Sequence, residues 1–506
     1  MKKVVFIKNA LVLTITSLIL RLLGVFFKIW LAKRIGSEGI GLYQLVFSFY
    51  VLVATFATGG ISTAVTRLVA DELILGSRRG VKKIMRRSFS LTIFIAAASC
   101  LAIFVFASPI ARFFIGNSVA AASLRALSFS LFFMGVSSCI KGYFIARRKT
   151  LPPSSAQIFE QIIRIVSVLF LVGRFGQHGI AYSCAAVLLG DTIAEAASCI
   201  YLYLFYRSDT NNLATLNGRA APPFSVFKKI LHIAGPITSG RYINSGLRTL
   251  ENILVPKKLV EFGITNASAL SFFGMIKGMA LPILFFPSTL LGAITTLLIP
   301  EISEAAATSN RKIISRLVSQ VIKITLLIGL VFGALFFICG EPLGRIIYND
   351  ASVGRLIKYL APLVPLMYLD SISDGILKGL DLQMATFRHS VIDSSARIVL
   401  IFFLLPIYGE AGFIAIMYLS NLFTCLLNLI RLIREAKIKL NLLNAVLLPS
   451  FYAVGITLFF SSVFSRLFLS DLMYVGLVAV FSLILYFVFL LMSKIVTKEE
   501  IQGLVR

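Results

Sequence analysis

EQIIRIVSVLFLVGRFGQHG, Glu160 to Gly179, returns later in the chain as DSSARIVLIFFLLPIYGEAG, Asp393 to Gly412. The two stretches align without a gap at a constant offset of 233, sharing an acid, Arg-Ile-Val and two glycines. Similarity at a fixed distance marks a duplicated unit. Upstream, Lys141-Gly142 has a counterpart in Lys378-Gly379, and "KRIGSEGI" from Lys33 resembles "KKLVEFGI" from Lys257. Equivalent segments recur in the same order, so the second half of the chain repeats the first.

Both copies are apolar, and so is the rest of the chain. Of 506 residues, 58% are hydrophobic and 14% charged, with a mean hydropathy of +0.91. Runs of about 20 residues or more recur from end to end, long enough to cross a hydrocarbon core of roughly 30 Å, and strand-like alternation is absent. The expectation is an all-α polytopic membrane protein of about 14 transmembrane helices. The runs place them near 5–31, 41–66, 88–110, 124–146, 155–175, 179–206, 229–255, 267–299, 316–339, 353–380, 385–407, 410–433, 445–468 and 471–493. The longest polar connection, "RSDTNNLATLNGRAAPPFS" from Arg207 to Ser225, reads as a linker between halves. The organisation predicted is a six-helix lobe over 1–206, a cytoplasmic linker over 207–228, a second six-helix lobe over 229–434, and two terminal helices within 435–506. Repeated bundles of this kind are a transporter architecture, with a site near the midplane and one half rocking against the other.

The formal charge of +27 could signal nucleic acid. The bases, however, sit in short segments between apolar runs, such as "SRRGVKKIMRR" at Ser77 to Arg87 and "RLIREAKIK" at Arg431 to Lys439, which points to membrane lipids and not to nucleic acid. With the amino terminus inside, roughly 27 bases fall on cytoplasmic segments against about 9 outside, so both termini are expected in the cytoplasm. The opening "MKK" resembles a signal peptide, but Arg21 interrupts its apolar region and no small-x-small site follows, so the first segment is expected to remain as a helix. Six scattered cysteines without a C-x-x-C pair read as buried free thiols and not as a metal site. His178, His232 and His389 lie far apart near predicted helix ends, where surface or interfacial roles are expected. No phosphate loop, H-E-x-x-H or G-x-S-x-G occurs, so the chain reads as a non-enzyme without a cofactor, running on a gradient or a potential.

Charges inside the apolar runs are costly and therefore informative. Arg21 and Lys28 are seven residues apart, nearly two turns, on one face of the first predicted helix; Arg241 and Arg248 repeat the spacing in the seventh. Glu251 follows Arg248 by three and can neutralise it locally. Lys277 adds a base in the eighth, and Arg67 ends the second. If these four helices face one another they make a cavity richer in bases than in acids, which calls for an anionic ligand; arginine's planar fork suits phosphate oxygens. Snorkelling to headgroups is the competing explanation, strongest for Lys28 and Arg67 near helix ends. Glu160 with Arg164, and Asp393 with Arg397, are i,i+4 pairs read as structural locks. Asp370, Asp374 and Lys378 form a ladder at steps of four. Asp191 and Glu195 lack a basic neighbour in sequence and, with Asp370 and Asp374, are candidates for a coupling Na+ or H+.

Several stretches carry a family resemblance: "GGISTAVTRLVADE", "IKGYFIARRKTLPPSSAQIFEQIIRIV", "AGPITSGRYINSGLRTLENILVPKKL" and "FFGMIKGMALPILFFPSTLLGAITTLLIPEISEA". They resemble the stage V sporulation protein B group of polysaccharide exporters over essentially the whole chain. That group belongs to the superfamily of multidrug and toxin extrusion transporters and lipid II flippases. The resemblance implies a two-lobed flippase of the cell membrane that moves an undecaprenyl-pyrophosphate-linked sugar or peptidoglycan precursor outward, for cell wall, spore cortex or polysaccharide synthesis. It further implies a pyrophosphate contact from bases in the first, second and eighth helices, for which Arg21 is the best match, and a groove for the lipid tail at the terminal helices. Two alternatives stay open: a cation-coupled multidrug antiporter, whose cavity should be acidic or aromatic, and a non-transporting scaffold that gathers cell-wall synthesis proteins.

Overall fold

The computed structural model describes residues 2–211, 225–289, 291–292, 301–302, 304–305, 308, 310–438, 443–467 and 469–496, with side chains from Thr16 onward apart from Ser225. Most of the predicted linker (212–224), the 293–299 end of the eighth predicted helix, and 439–442 and 497–506 of the terminal segment lie outside these residues. Helices carry the described chain, and no strand occurs among the described residues. They run as α1 (Lys2–Thr58), α2 (Ile61–Ile74), α3 (Arg78–Pro109), α4 (Ala120–Ser128), α5 (Ser130–Ala146), α6 (Leu151–Phe175), α7 (Ile180–Asn211) and α8 (Ser225–Glu261). There follow α9 (Asn266–Gly274), α10 (Leu281–Phe285), α11 (Arg311–Tyr348), α12 (Ala351–Leu360), α13 (Val364–Gly379), α14 (Gln383–Ala436), α15 (Leu448–Phe464) and α16 (Asp471–Met492).

Among the described residues, 11 helical stretches are long and apolar enough to cross a membrane. That is short of the 14 expected, for physical reasons. α1 and α14 each join two predicted helices through a glycine, Gly36 at φ 72° and Gly409 at φ 56°, where a residue with a side chain would be strained. α8 is helical over 37 residues, but Lys228, Lys229, Arg241, Arg248, Glu251, Lys257 and Lys258 keep it out of the apolar class. Helix starts follow the sequence: the side chains of Ser77, Asn310, Asp350 and Ser470 accept from backbone N–H groups in the first turns of α3, α11, α12 and α16.

By their contacts the residues form two compact units, Met1–Lys257 with Thr265–Gly274, and Lys258–Ile264 with Met275–Arg506. The helix after the linker thus packs with the first unit as far as Lys257. In the first unit α6 lies along α7, α2 against α5, and α3 against α4 and α5. Val65, Met85, Ile140, Tyr143, Leu202 and Ile230 share its core. In the second unit α11 packs on α12 and α13, and the terminal helices α15 and α16 lie on α11 through Leu327, Val331, Ile456, Val478 and Tyr486.

Lipid tails are as apolar as leucine, so close backbone packing has to do what hydrophobic burial does in water. The crossing of α1 and α9 within the first unit is built this way. A Cβ on Gly41 would stand 2.0 Å from the Leu270 carbonyl oxygen, and one on Gly274 2.0 Å from that of Ser37. Beside them the hydroxyls of Ser37 and Ser271 bond at 2.6 Å. Gly41→Ala is expected to lower the melting temperature of the purified protein, at a cost of about 2 kcal/mol from forced separation of the two backbones. Gly24→Ala, where nothing stands within 4 Å of the added carbon, is the control and should melt as the parent does. Equal melting of the two variants would contradict the crossing.

Candidate functional site

The first unit holds a buried cluster of opposite charges. Arg164 Nη2 donates to Glu160 Oε1 at 2.8 Å, its Nη1 to Gln161 Oε1 at 2.9 Å, and its Nε lies 2.9 Å from Asp191 Oδ1. The expected i,i+4 pair on α6 is therefore present, and the same guanidinium reaches across to α7. Asp191 is 5% exposed and, against the expectation of an acid pair without a base, it is matched by Arg164. Only sequence neighbours are visible in a linear reading, and this partner comes from the preceding helix. Glu195, one turn further along α7, has a buried Oε2 with no hydrogen-bond partner among the described residues. Lys141 on α5 and Arg164 on α6 are the bases that act on it electrostatically.

A cavity of about 150 Å³ opens beside this cluster, lined by Tyr50, Thr55, Ser130, Arg164, Asp191 and Glu195. Tyr50 accepts from Ser130 Oγ at 2.6 Å, and Tyr43 faces Asp191. Neither tyrosine was singled out on sequence. Their spacing of seven on one helix, the same as for Arg21 and Lys28, is the signal that would have found them.

The predicted anion ligands are placed differently. Arg21 and Lys28 on α1, Arg67 on α2, and Arg241 and Arg248 on α8 are exposed, while Lys277 is half-buried in the π-helical turn Met275–Ala280. Arg67 lies in the middle of α2 and not at a helix end, because Gly59-Gly60 stops α1 and a new helix begins at Ile61. Arg241 Nη1 donates to the Gly59 carbonyl at 2.7 Å, so part of its fork closes the end of α1. Arg21, Lys28, Arg67 and Arg248 have no ion pair or hydrogen bond among the described residues. The first unit does bring together the second predicted helix with parts of the seventh and eighth. Thr249 Oγ1 donates to the Ser48 carbonyl at 3.0 Å, Asn252 Nδ2 to Ser48 Oγ at 3.0 Å, and a Cβ on Gly60 would meet Ala234.

The second unit repeats the lock with different surroundings. Arg397 Nη2 donates to Asp393 Oδ2 at 2.5 Å, and Ser420 Oγ donates to Asp393 Oδ1 at 2.6 Å. Asp374 pairs with Lys378 at 2.5 Å, as the ladder predicts, whereas Asp370 accepts from Asn428 Nδ2 at 2.8 Å. His389, expected at the surface or the interface, is half-buried and bonded to Asn428. An apolar cavity of about 320 Å³ lies between α11 and α16, lined by Gln320, Lys323, Leu327, Phe332, Leu483 and Tyr486. It is bounded by one terminal helix and α11. No group of three or more His, Cys, Asp or Glu that could hold a metal ion occurs among the described residues.

Comparisons with known proteins bear on the fold and the family. Stage V sporulation protein B of Bacillus subtilis (strain 168) is 26% identical over 411 residues, 80% of this chain and 78% of the relative. Lipid II flippase MurJ of the same organism is 20% identical over 417 residues, 78% of this chain and 76% of the relative. Among solved structures, Lipid II flippase MurJ in an inward closed conformation matches with a TM-score of 0.70 at 15% identity, covering 94% of this chain and 98% of that one. An inward-facing MATE family transporter of the MOP superfamily matches at 0.67 and 13% identity, covering 85% and 98%. The fold is thus the polytopic transporter fold of these structures. A family model described as polysaccharide biosynthesis protein matches residues 6–304, more than half of the sequence, and the chain belongs to that family.

Proposed function

We propose that this membrane protein is a flippase that carries an undecaprenyl-pyrophosphate-linked glycan or a lipid II-like peptidoglycan precursor from the inner to the outer leaflet, by alternating access of two six-helix lobes followed by two terminal helices. The observation that supports it most is the sign of the exposed charge. Arg21 and Lys28 stand exposed on the apolar α1 and Arg248 on the more polar α8, with no acid bonded to any of them among the described residues. Stable placement of such bases in a membrane calls for an anion, and a pyrophosphate accepts bidentate bonds from guanidinium groups. Arg67 and Arg241, in the same unit, are assigned to the same headgroup, and the apolar cavity between α11 and α16 suits a polyprenyl tail. The relatives' names, a lipid II flippase and a sporulation protein, favour the same substrate class. An exporter of cationic drugs would call for acids or aromatic rings in place of these exposed bases.

In this proposal the termini and the 207–228 connection are cytoplasmic, on the side of the basic clusters. Asp191 and Glu195 in the first unit, and separately Asp370 and Asp374 in the second, are the candidates for binding the coupling Na+ or H+. Glu160–Arg164 and Asp393–Arg397 are structural. A cysteine at Ser208, which is exposed near the end of α7, should resist impermeant maleimide in intact cells and react after lysis; labelling from outside would reverse the topology.

Arg164 holds two acids, so removing it strands the buried Asp191 and the half-buried Glu160, whereas Glu160→Gln leaves the Arg164–Asp191 contact in place. Arg164→Met is expected to cost about 3 to 5 kcal/mol, read as loss of folded, monodisperse protein, and Glu160→Gln clearly less. Equal losses would remove the structural role.

Transport is tested in proteoliposomes with polyprenyl-pyrophosphate-linked sugars. Loss of one charge-assisted contact is worth about 1.5–3 kcal/mol, so Arg21→Ala and Arg248→Ala should each slow flipping by about tenfold or more at unchanged protein level. Arg→Lys at either position keeps the charge, loses the fork and should fall between. Normal flipping by the Arg21→Ala, Arg248→Ala double variant would place the headgroup elsewhere. No flipping by the parent would favour the scaffold alternative.

A further inference from the structure

Three polar side chains of the second unit form a chain that the transport reading does not use as a whole. Asp370 lies on α13, His389 on the first arm of α14 and Asn428 on its second arm, the two arms being joined at Gly409. Asn428 is 3% exposed and engaged at both ends: its Nδ2 donates to Asp370 Oδ1 at 2.8 Å, and its Oδ1 lies 2.8 Å from His389 Nδ1.

We propose that Asp370, Asn428 and His389 bind one proton as a unit, by exchanging two hydrogen-bond patterns related by a flip of the Asn428 carboxamide. An amide has one donor end and one acceptor end. With the NH2 turned to the Asp370 carboxylate, its oxygen must accept from His389, so the neutral imidazole keeps its proton on Nδ1. A proton placed on the Asp370 carboxyl converts that group into a donor, which is satisfied when Asn428 turns its oxygen toward it. The NH2 then faces His389 Nδ1, which must be a bare lone pair, so the neutral ring carries its proton on Nε2. The Nδ1 proton leaves to solvent, another arrives at Nε2, and the net change is one proton gained at Asp370; no electrons move. A buried amide with both ends engaged cannot satisfy a mixture of the two patterns, and this couples the carboxyl to a ring on another helix.

The donor set identifies the ligand. Sodium needs several oxygen lone pairs directed at one point. Here an N–H is directed at Asp370 Oδ1, and the oxygens of the neighbouring Asp393 are taken by Arg397 and Ser420. A proton is the one cation this arrangement accommodates. The other titratable and charged groups that act on Asp370 are Asp374, held by Lys378, the Asp393–Arg397 pair, and Cys425 on the second arm of α14. None of them replaces the amide bridge.

The proposal rests on the coupling reading above only for its use in transport. The chain contains three histidines, so each can be resolved by solid-state NMR of the full-length protein in lipid nanodiscs, labelled with 15N-histidine and 13C-aspartate. His389→Gln and Asp370→Asn assign the two signals. The expected result is an Nδ1–H ring at high pH that changes to Nε2–H in the same step in which the Asp370 carboxyl carbon reports protonation. In Asp370→Asn the tautomer should no longer change with pH, and in Asn428→Leu the two events should separate. Should Asn428→Leu fail to fold, the near-isosteric Asp370→Asn carries the test. A ring that goes directly to imidazolium while Asp370 stays ionised overturns the proposal, as does an unchanged tautomer profile in Asp370→Asn. A relay behaving as expected in a protein whose transport ignores a pH gradient would leave the site standing and remove its coupling role.

Discussion

Arg164, held between Glu160 on its own helix and Asp191 on the next, is the interaction around which the first unit is arranged. A guanidinium can be placed inside an apolar bundle only if its donors are taken up, and one carboxylate does not exhaust five N–H groups. Gln161 accepts from a second nitrogen, and the Asp191 carboxylate, 2.9 Å from Nε, supplies an opposite charge that ties α6 to α7, the pair of helices packed most extensively in that unit. Once Asp191 is drawn to Arg164, the next acid on that face, Glu195, is left on the wall of the cavity with Tyr50 and Ser130. The lock and the polar cavity thus have a single cause.

The second unit shows what the duplication preserved and what it did not. Asp393 and Arg397 keep the pair, but at the offset of 233 the counterparts of Asp191 and Glu195 are Thr424 and Asn428. With no acid there to reach for, the lock is completed by a hydroxyl, Ser420, and the amide at position 428 is free to bond Asp370 and His389. The glycines diverge as well. Gly176 and Gly409 are aligned, yet Gly176 is right-handed and the left-handed turn of the first repeat falls on Gly179, whereas in the second it falls on Gly409 itself. The same sequence signature therefore closes two helices at different residues.

Much of the fold was legible because it depends on local pattern: apolar length, the glycine breaks, the i,i+4 pairs and the repeat. The site was legible only where its chemistry is local too. Glu160–Arg164 and Asp374–Lys378 could be read from spacing, but Arg164–Asp191, Arg241 on the Gly59 carbonyl, and His389 on Asn428 join residues 27, 182 and 39 positions apart. Packing of helices sets those distances, and no periodicity encodes it. The same limit explains Arg67: the Gly-Gly pair was visible, but that the helix would restart at Ile61 depends on Gly60 meeting the backbone of Ala234.

The two signs of charge are handled in opposite ways, and this bears on mechanism. The acids Asp191 and Asp393 are buried with arginine partners inside their own units, while Arg21, Lys28 and Arg248 are exposed without acids bonded to them. Buried pairs contribute fixed geometry and little net charge, so they can persist through a conformational cycle. The exposed bases have no acid of the described chain bonded to them, which leaves them open to an anion from outside it. The anionic passenger proposed above fits this arrangement, because it would supply the negative charge that the bases lack. Under the proposed function its release is driven by a change elsewhere, and Asp370, whose partner is the Asn428 amide, is the acid assigned to receive it.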